Sequence, residues 1–286
     1  MRSQFSYNSN NFHKKIKKQF GGFPTYGSYN VEYDFKDDWS IERKGTQELA
    51  GYFSSLSESN GGVVLSKDQS VVMSLTPMEL ESHIMAQHSA QGHVVVSGLG
   101  LAMIVLSLLQ KTTVRKITVL EVDPQIISMY PSVLNGQSRC LWEDSIKDGR
   151  LNVIEADCHQ PLPQKVLDEV GTSIDYMWCD TWNTLGHSKS LFRTQLLAQQ
   201  IKPKVCDFWG VELYLAMKTV IQNPSLQAKP LIDYAYSTGL PLSVLKMDTK
   251  QARLYTELCY AAAKNITIQE RARARLINAT SPNIFA

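Results

Sequence analysis

The sequence lacks anything that would staple it, anchor it or polarise it strongly. Its five cysteines, Cys140, Cys158, Cys179, Cys206 and Cys259, stand far apart with no Cys-x-x-Cys pair. That spacing argues against a disulfide framework or a zinc site and reads as reduced thiols in a cytoplasmic protein. No apolar run reaches the roughly 20 residues of a membrane-spanning helix; the longest, Val94–Leu109, is interrupted by Ser97, Gly98, Gly100 and Ser107. Residues 1–20 are rich in Ser and Asn and carry Lys14, Lys15, Lys17 and Lys18. No apolar segment follows them, so no secretory leader is expected. The lysines read as a solvated terminal face. Charge of one sign is scarce as well: 29 Lys and Arg against 27 Asp and Glu leave +2, too little for an extended nucleic-acid or membrane surface. No repeat of solenoid period occurs.

What is present is the composition of a globular chain, 286 residues that are 43% hydrophobic and 20% charged, enough for a substantial core. Residues 1–60 form a polar and aromatic extension, expected to be disordered in part, with some of Phe20, Phe23, Tyr26, Tyr29, Tyr33, Phe35 and Trp39 packing on the main domain. Residues 61–90 read as a β-hairpin and a helix. The hairpin starts at Gly61-Gly62, with strands Val63–Leu65 and Val71–Ser74 joined through 66–69. Thr76 before Pro77 is helix-start chemistry for a helix over Met78–Ser89. Between 91 and 215 the pattern alternates. Strands are expected at Val94–Ser97, Ile117–Glu121, Leu151–Glu155, Ile174–Cys179 and Val205–Val211, with helices at Leu101–Gln110, Pro124–Leu134 and Ser188–Gln199. Short Val/Ile-rich runs separated by helices predict an α/β fold, a doubly wound, Rossmann-like, mostly parallel sheet with helices on both faces. Residues 216–286 read as a helical C-terminal extension, preceded by a helix over Leu213–Val220 and containing Lys250–Ala263 and an exposed charged helix over Thr267–Leu276.

The chemistry-bearing residues fall at the ends of the strands. Gly98 permits a tight turn after the first strand, and Gly100 lets backbone approach a ligand where a helix begins. Glu121 ends the second strand about 20 residues later, placed to accept from the two hydroxyls of a ribose. Asp123 precedes Pro124 and reads as the cap of the next helix. Asp157 ends the third strand, where it either accepts from an adenine amino group or makes an Asx turn before Pro161. Asp180 ends the fourth strand between Trp178 and Trp182. It could orient a substrate amine, act as a base, or hold water or loop backbone. Glu79 and His83, four residues apart, share a helix face.

In order, Val94–Ala102, Ile117–Pro124, Ala156-Asp157 and Ile174–Trp182 resemble the successive motifs of class I S-adenosylmethionine-dependent methyltransferases. The hairpin before the nucleotide domain, with Glu79 and His83 after it, is similar to the spermidine synthase-like branch. The resemblance covers roughly residues 60–215. It implies S-adenosylmethionine as donor, with Gly98 and Gly100 bordering its methionine part, Glu121 its ribose, and Asp157 with Cys158 its adenine. Asp180 would sit where the reactive carbon meets the acceptor, with Glu79 or His83 closing from the preceding helix. Methyl transfer to an unidentified acceptor, with no metal, is the implied activity; relatives of this class often form homodimers. Two departures stand out. The loop Gly98-Leu99-Gly100-Leu101-Ala102-Met103 lacks a third glycine, which argues against a nicotinamide site. Cys179-Asp180-Thr181-Trp182 replaces the Asp-x-x-Asp of aminopropyltransferases, removing a carboxylate that a diamine would need. An aminopropyltransferase and a non-catalytic nucleoside-binding protein are the competing readings.

Overall fold

The computed structural model describes residues 11–25, 27–31, 39–45, 47–49, 51–54, 57–59, 62–130, 132–219 and 227–280. Tyr26, Tyr33, Phe35, Gly61 and Val220 lie outside them, as does part of the 1–60 tract expected to be disordered in part. Helix α1 (Asn11–Phe20) precedes strands β1 (Trp39–Arg43), β2 (Gln47–Leu49) and β3 (Ser57–Ser59), then hairpin strands β4 (Val63–Lys67) and β5 (Ser70–Ser74). Helices α2 (Pro77–Ser82) and α3 (Ile84–Ser89) lead into β6 (Gly92–Ser97), α4 (Met103–Leu109), β7 (Val114–Glu121), α5 (Pro124–Met129) and α6 (Gly136–Lys147). Next come β8 (Leu151–Glu155), α7 (Gln164–Val170), β9 (Tyr176–Cys179), α8 (Ser190–Ile201) and β10 (Cys206–Phe208). The chain closes with α9 (Val211–Lys218), α10 (Ala228–Ser237), a 3-10 turn at Ser243–Lys246 and α11 (Thr249–Thr280).

Five strands form one parallel sheet in the order β10-β9-β6-β7-β8. Val94, Val95 and Val96 of the central strand are wholly buried, as a strand covered on both faces requires. The chain winds from β6 outward through β7 and β8, then returns to β9 and β10 on the other side. The order therefore reverses between β6 and β9. Such a switch point leaves a crevice beyond the carboxyl ends of the strands, where ligands bind in doubly wound sheets. The fold is the α/β architecture read from the sequence, with a small antiparallel sheet before it and a helical extension after it. That small sheet, β1-β4-β5, recruits Trp39–Arg43 from the N-terminal region. The hairpin turn is tighter than expected, because Asp68 and Gln69 both take positive φ and leave Ser66 and Lys67 in the strand.

Other differences lie in the helices and the last strand. Helices α6 and α7 were not expected; α6 buries only Ser138, Trp142 and Ser145, too sparse a stripe to register as periodicity. The strand expected over Val205–Val211 is only Cys206–Phe208, because Gly210 at φ 85° turns the chain into α9. The segments over Lys250–Ala263 and Thr267–Leu276 are one continuous helix, α11. In α1, Ile16 and Phe20 are buried while the four lysines are exposed, the face expected of them. No helix among the described residues is long and apolar enough to cross a membrane.

Candidate functional site

The crevice at the switch point is a cavity of about 500 Å³ bounded by the tips of β6, β7, β8 and β9, with the hairpin across it. Gly98, Gly100, Glu121, Asp157, Cys158, Asp180, Glu79 and His83 all line it. All eight residues singled out in the sequence are therefore brought to one cavity. Its apolar walls include Met73, Ile104, Val122, Ile126, Trp182 and Trp209.

The glycine loop is held by the protein itself. A Cβ on Gly98 (φ +88°) would lie 1.9 Å from the Asp180 carbonyl oxygen, and one on Gly100 (φ +49°) would lie 2.5 Å from the Met73 sulfur. Gly98 needs glycine for this backbone approach before any ligand is considered, whereas at Gly100 the flexible Met73 side chain can yield and the positive φ is what favours glycine. The Leu101 N–H reaches the Met73 sulfur at 3.1 Å, and Ala102 also adopts φ +53° at the start of α4. The Glu121 carboxylate stands beside this loop, accepting from Leu99 N at 2.8 Å and Asp123 N at 2.9 Å, one bond to each oxygen. Each oxygen keeps acceptor capacity toward the cavity.

Asp123 caps α5 through the Gln125 N–H at 2.9 Å. It also holds Lys67 at 2.8 Å and the Trp39 indole N–H at 3.3 Å, tying the small sheet to the tip of β7. Burial pushes its carboxyl up, but these donors outweigh it and hold the pKa below the usual range. Asp157 makes the Asx turn, accepting from His159 N at 2.9 Å through Oδ1. Cys158 is buried, and burial pushes its thiol far above the usual range. It is a wall of the cavity, not a nucleophile.

The deepest part of the cavity holds Glu79, His83 and Asp180. The helix expected over Met78–Ser89 breaks at His83, whose φ of −99° and ψ of 6° separate α2 from α3. Thr76 caps α2 and Pro77 starts it. The break turns the His83 ring inward, where it is fully buried and packs on Trp178 with ring centroids 5.1 Å apart. Its Nδ1 lies 2.8 Å from the Glu79 carbonyl oxygen, and its Nε2 lies 2.9 Å from Asp180 Oδ2.

Proton bookkeeping at this histidine is constrained. A carbonyl oxygen only accepts, so Nδ1 carries a hydrogen. The Ser82 hydroxyl donates to the same carbonyl at 3.0 Å and accepts from the Trp209 indole at 2.8 Å. The contact between Nε2 and a carboxylate oxygen then requires one further proton, so the pair is an imidazolium facing a carboxylate or its neutral tautomer. Burial acts to lower the His83 pKa. The hydrogen bond and charge of Asp180, with Glu79 nearby, overcome it and raise the value. The Glu79 carboxyl is pushed up to about 8, first by burial and then by the neighbouring Asp180, against the pull of His83. A group titrating near neutrality and open to a cavity is suited to proton transfer.

Three residues of the cavity were missed by sequence reading. His159, His187 and Arg193 lie along its β8–β9 side; isolated in sequence and on three different segments, they carried no spacing signal. No group of three or more His, Cys, Asp or Glu among the described residues could hold a metal ion. All five cysteines are free.

No protein-family model matches this sequence, and no curated protein matches it. Among solved structures, the spermidine synthase of Thermotoga maritima is similar at 14% identity with a TM-score of 0.34. The match covers 60% of this chain and 62% of that one, so it spans less than two thirds of the length of the structure it resembles.

Proposed function

We propose that the chain is a transferase that moves an alkyl group, a methyl in the first reading, from S-adenosylmethionine to a small-molecule acceptor in this cavity. The observation that carries the reading is the convergence of Gly98–Gly100, Glu121 and Asp157-Cys158 with Asp180 on one cavity at the switch point. The residues fit such a donor. Glu121 retains an acceptor site on each oxygen for a vicinal diol, and Asp157 keeps Oδ2 clear of the Asx turn for an amino group. Val122, Ile126, Ala156 and Cys158 offer a flat base an apolar wall. The cavity volume lies within the roughly 300–1,000 Å³ usual for small-molecule sites.

When bound, the donor supplies a sulfonium-activated carbon, so the protein's part is alignment and handling of the acceptor's proton. Glu79, titrating at about 8, takes that proton. Asp180 is positioned by His83, whose ring is fixed in turn by the Glu79 carbonyl, and faces the acceptor. Trp182 and Trp209 exclude water from the inner end.

One observation favours a second reading, transfer of an aminopropyl group. The second carboxylate missing from the β9 tip is restored in space by Glu79 of α2, close enough to Asp180 to raise its own pKa. A cationic amine would then meet two acidic groups. The deciding assay offers the purified chain S-adenosylmethionine labelled in its methyl, and separately the decarboxylated donor labelled in its propylamine, with a panel of amines, carboxylates and phenols. Labelled methyl in product supports the first reading; labelled propylamine replaces it with the second. Donor binding without transfer across the panel leaves a nucleoside-binding protein, and no binding of either donor overturns the proposal. Glu121→Ala is expected to weaken S-adenosylmethionine binding by about 1–3 kcal/mol in calorimetry.

A further inference from the structure

The two sides of the cavity differ in charge. The inner end is acidic, with Glu79 and Asp180 against His83. The side formed by the β8–α7 loop, the β9–α8 loop and the start of α8 carries His159, Thr181, Asn183, His187 and Arg193. Here the polar groups are largely donors. The Lys189 N–H bonds His187 Nδ1 at 3.2 Å. That nitrogen is therefore the acceptor, and a neutral His187 carries its proton on Nε2. The His187 ring is held parallel to Trp182, with centroids 6.3 Å apart and an interplanar angle of 17°. His159 is fixed by a 2.7 Å contact between Nε2 and Thr181 Oγ1. Arg193 is half-buried, and no hydrogen bond or ion pair engages its guanidinium among the described residues. Burial lowers the His159 pKa, and the charges of Arg193 and His187 lower it further, with only Asp157 opposing. Arg193 and His187 thus act on His159 in one direction, against Asp157.

We propose that this corner binds an anionic group, a carboxylate or a phosphate, carried by the second substrate. A partly desolvated guanidinium with no partner among the described residues, beside an oriented imidazole N–H, is the donor arrangement that carboxylates and phosphates match. The anion does not belong to the donor. S-adenosylmethionine carries its single carboxylate at the methionine end, whereas His159 adjoins Asp157 and Cys158, the adenine side of the preceding reading. Assigning the anion to a second substrate rests on that transferase reading; the anion site itself does not.

The test uses the full chain and two probes, inorganic phosphate and propionate, each titrated with and without S-adenosylmethionine. The ring C–H signals of His159 and His187 are followed by NMR. The expected result is a saturable shift of both signals and a rise in the His159 titration midpoint, because the bound anion offsets the field of Arg193. Arg193→Gln should weaken the response about tenfold or more while leaving Tm unchanged. The probe that saturates at lower concentration identifies carboxylate or phosphate as the source. Shifts matched by sodium chloride at equal ionic strength, or retained in Arg193→Gln, would overturn the site. Anion binding displaced by S-adenosylmethionine would overturn the assignment to a second substrate. Anion binding by a protein that takes up neither S-adenosylmethionine nor its decarboxylated form would uphold the corner and sink the transferase reading instead.

Discussion

Two groups of acids, one sealed in the core and one lining the cavity, differ in what satisfies them. On the core side, Glu81 accepts from the backbone N–H groups of Phe53 and Ser54 at 2.6 and 2.9 Å. Asp207 accepts from the Tyr176 hydroxyl at 2.9 Å and from Ser243 N at 3.1 Å. Glu212 is fully buried beside Tyr52, with one carboxyl oxygen lacking a hydrogen-bond partner among the described residues. On the cavity side, Glu79 and Asp180 face open space and other titratable groups. Burial lifts both Glu79 and Glu212 to about 8, yet only Glu79 reaches the cavity. A raised carboxyl pKa therefore marks burial; access to a ligand is what separates chemistry from architecture.

The widest expected gap is in turnover. Glu79→Gln should lower transfer about a hundredfold to ten-thousandfold, roughly 3–5 kcal/mol in the barrier, with little change in unfolding free energy. Comparable loss in Glu212→Gln would erase the distinction between the two sides. Glu81→Leu should do the opposite, destabilising the fold by about 3 kcal/mol in urea titration because two buried N–H groups lose their acceptor. Donor affinity of the folded fraction should be unaffected.

The next effect is in pH. The carboxyls of Glu79 and Glu212 have folded-state pKa values of about 8 against ordinary values of 4.5. The stability linked to them is fully present below about 4.5 and is lost as pH rises through about 8. Glu212→Gln should therefore match the parent near pH 5 and exceed it in unfolding free energy near pH 9. Equal stability of the two proteins at both values would mean that Glu212 is already ionised in the fold. The smallest effect belongs to the tie between hairpin and sheet. Asp123→Ala, losing its cap on α5, should cost about 1 kcal/mol, and the cap of α2 at Thr76 should be comparable. A much larger loss at Asp123 would show that the Lys67 and Trp39 contacts hold the small sheet in place.

The strand tips were legible because each is written locally. A run of Val and Ile followed by glycine or an acid specifies a buried strand and its exit, and the alternation of such runs with helices specifies the parallel sheet. The capping role of Asp123 and the Asx turn at Asp157 were readable for the same reason, since each involves residues two apart. The break at His83 was not. Nothing between Met78 and Ser89 forbids a continuous helix, and the ring turns inward because Asp180, 97 positions away, offers it a partner. The packing reason for glycine at Gly98 was likewise invisible, resting on the Asp180 carbonyl. The sequence alone thus determined a doubly wound, mostly parallel sheet and the residues at its carboxyl edge, because periodicity and turn chemistry act over a few residues. Only the tertiary structure decided which acids share a cavity, which are sealed in the core, and where the three basic side chains meet. Desolvation and charge pairing depend on distances through space, and these are set when the layers pack.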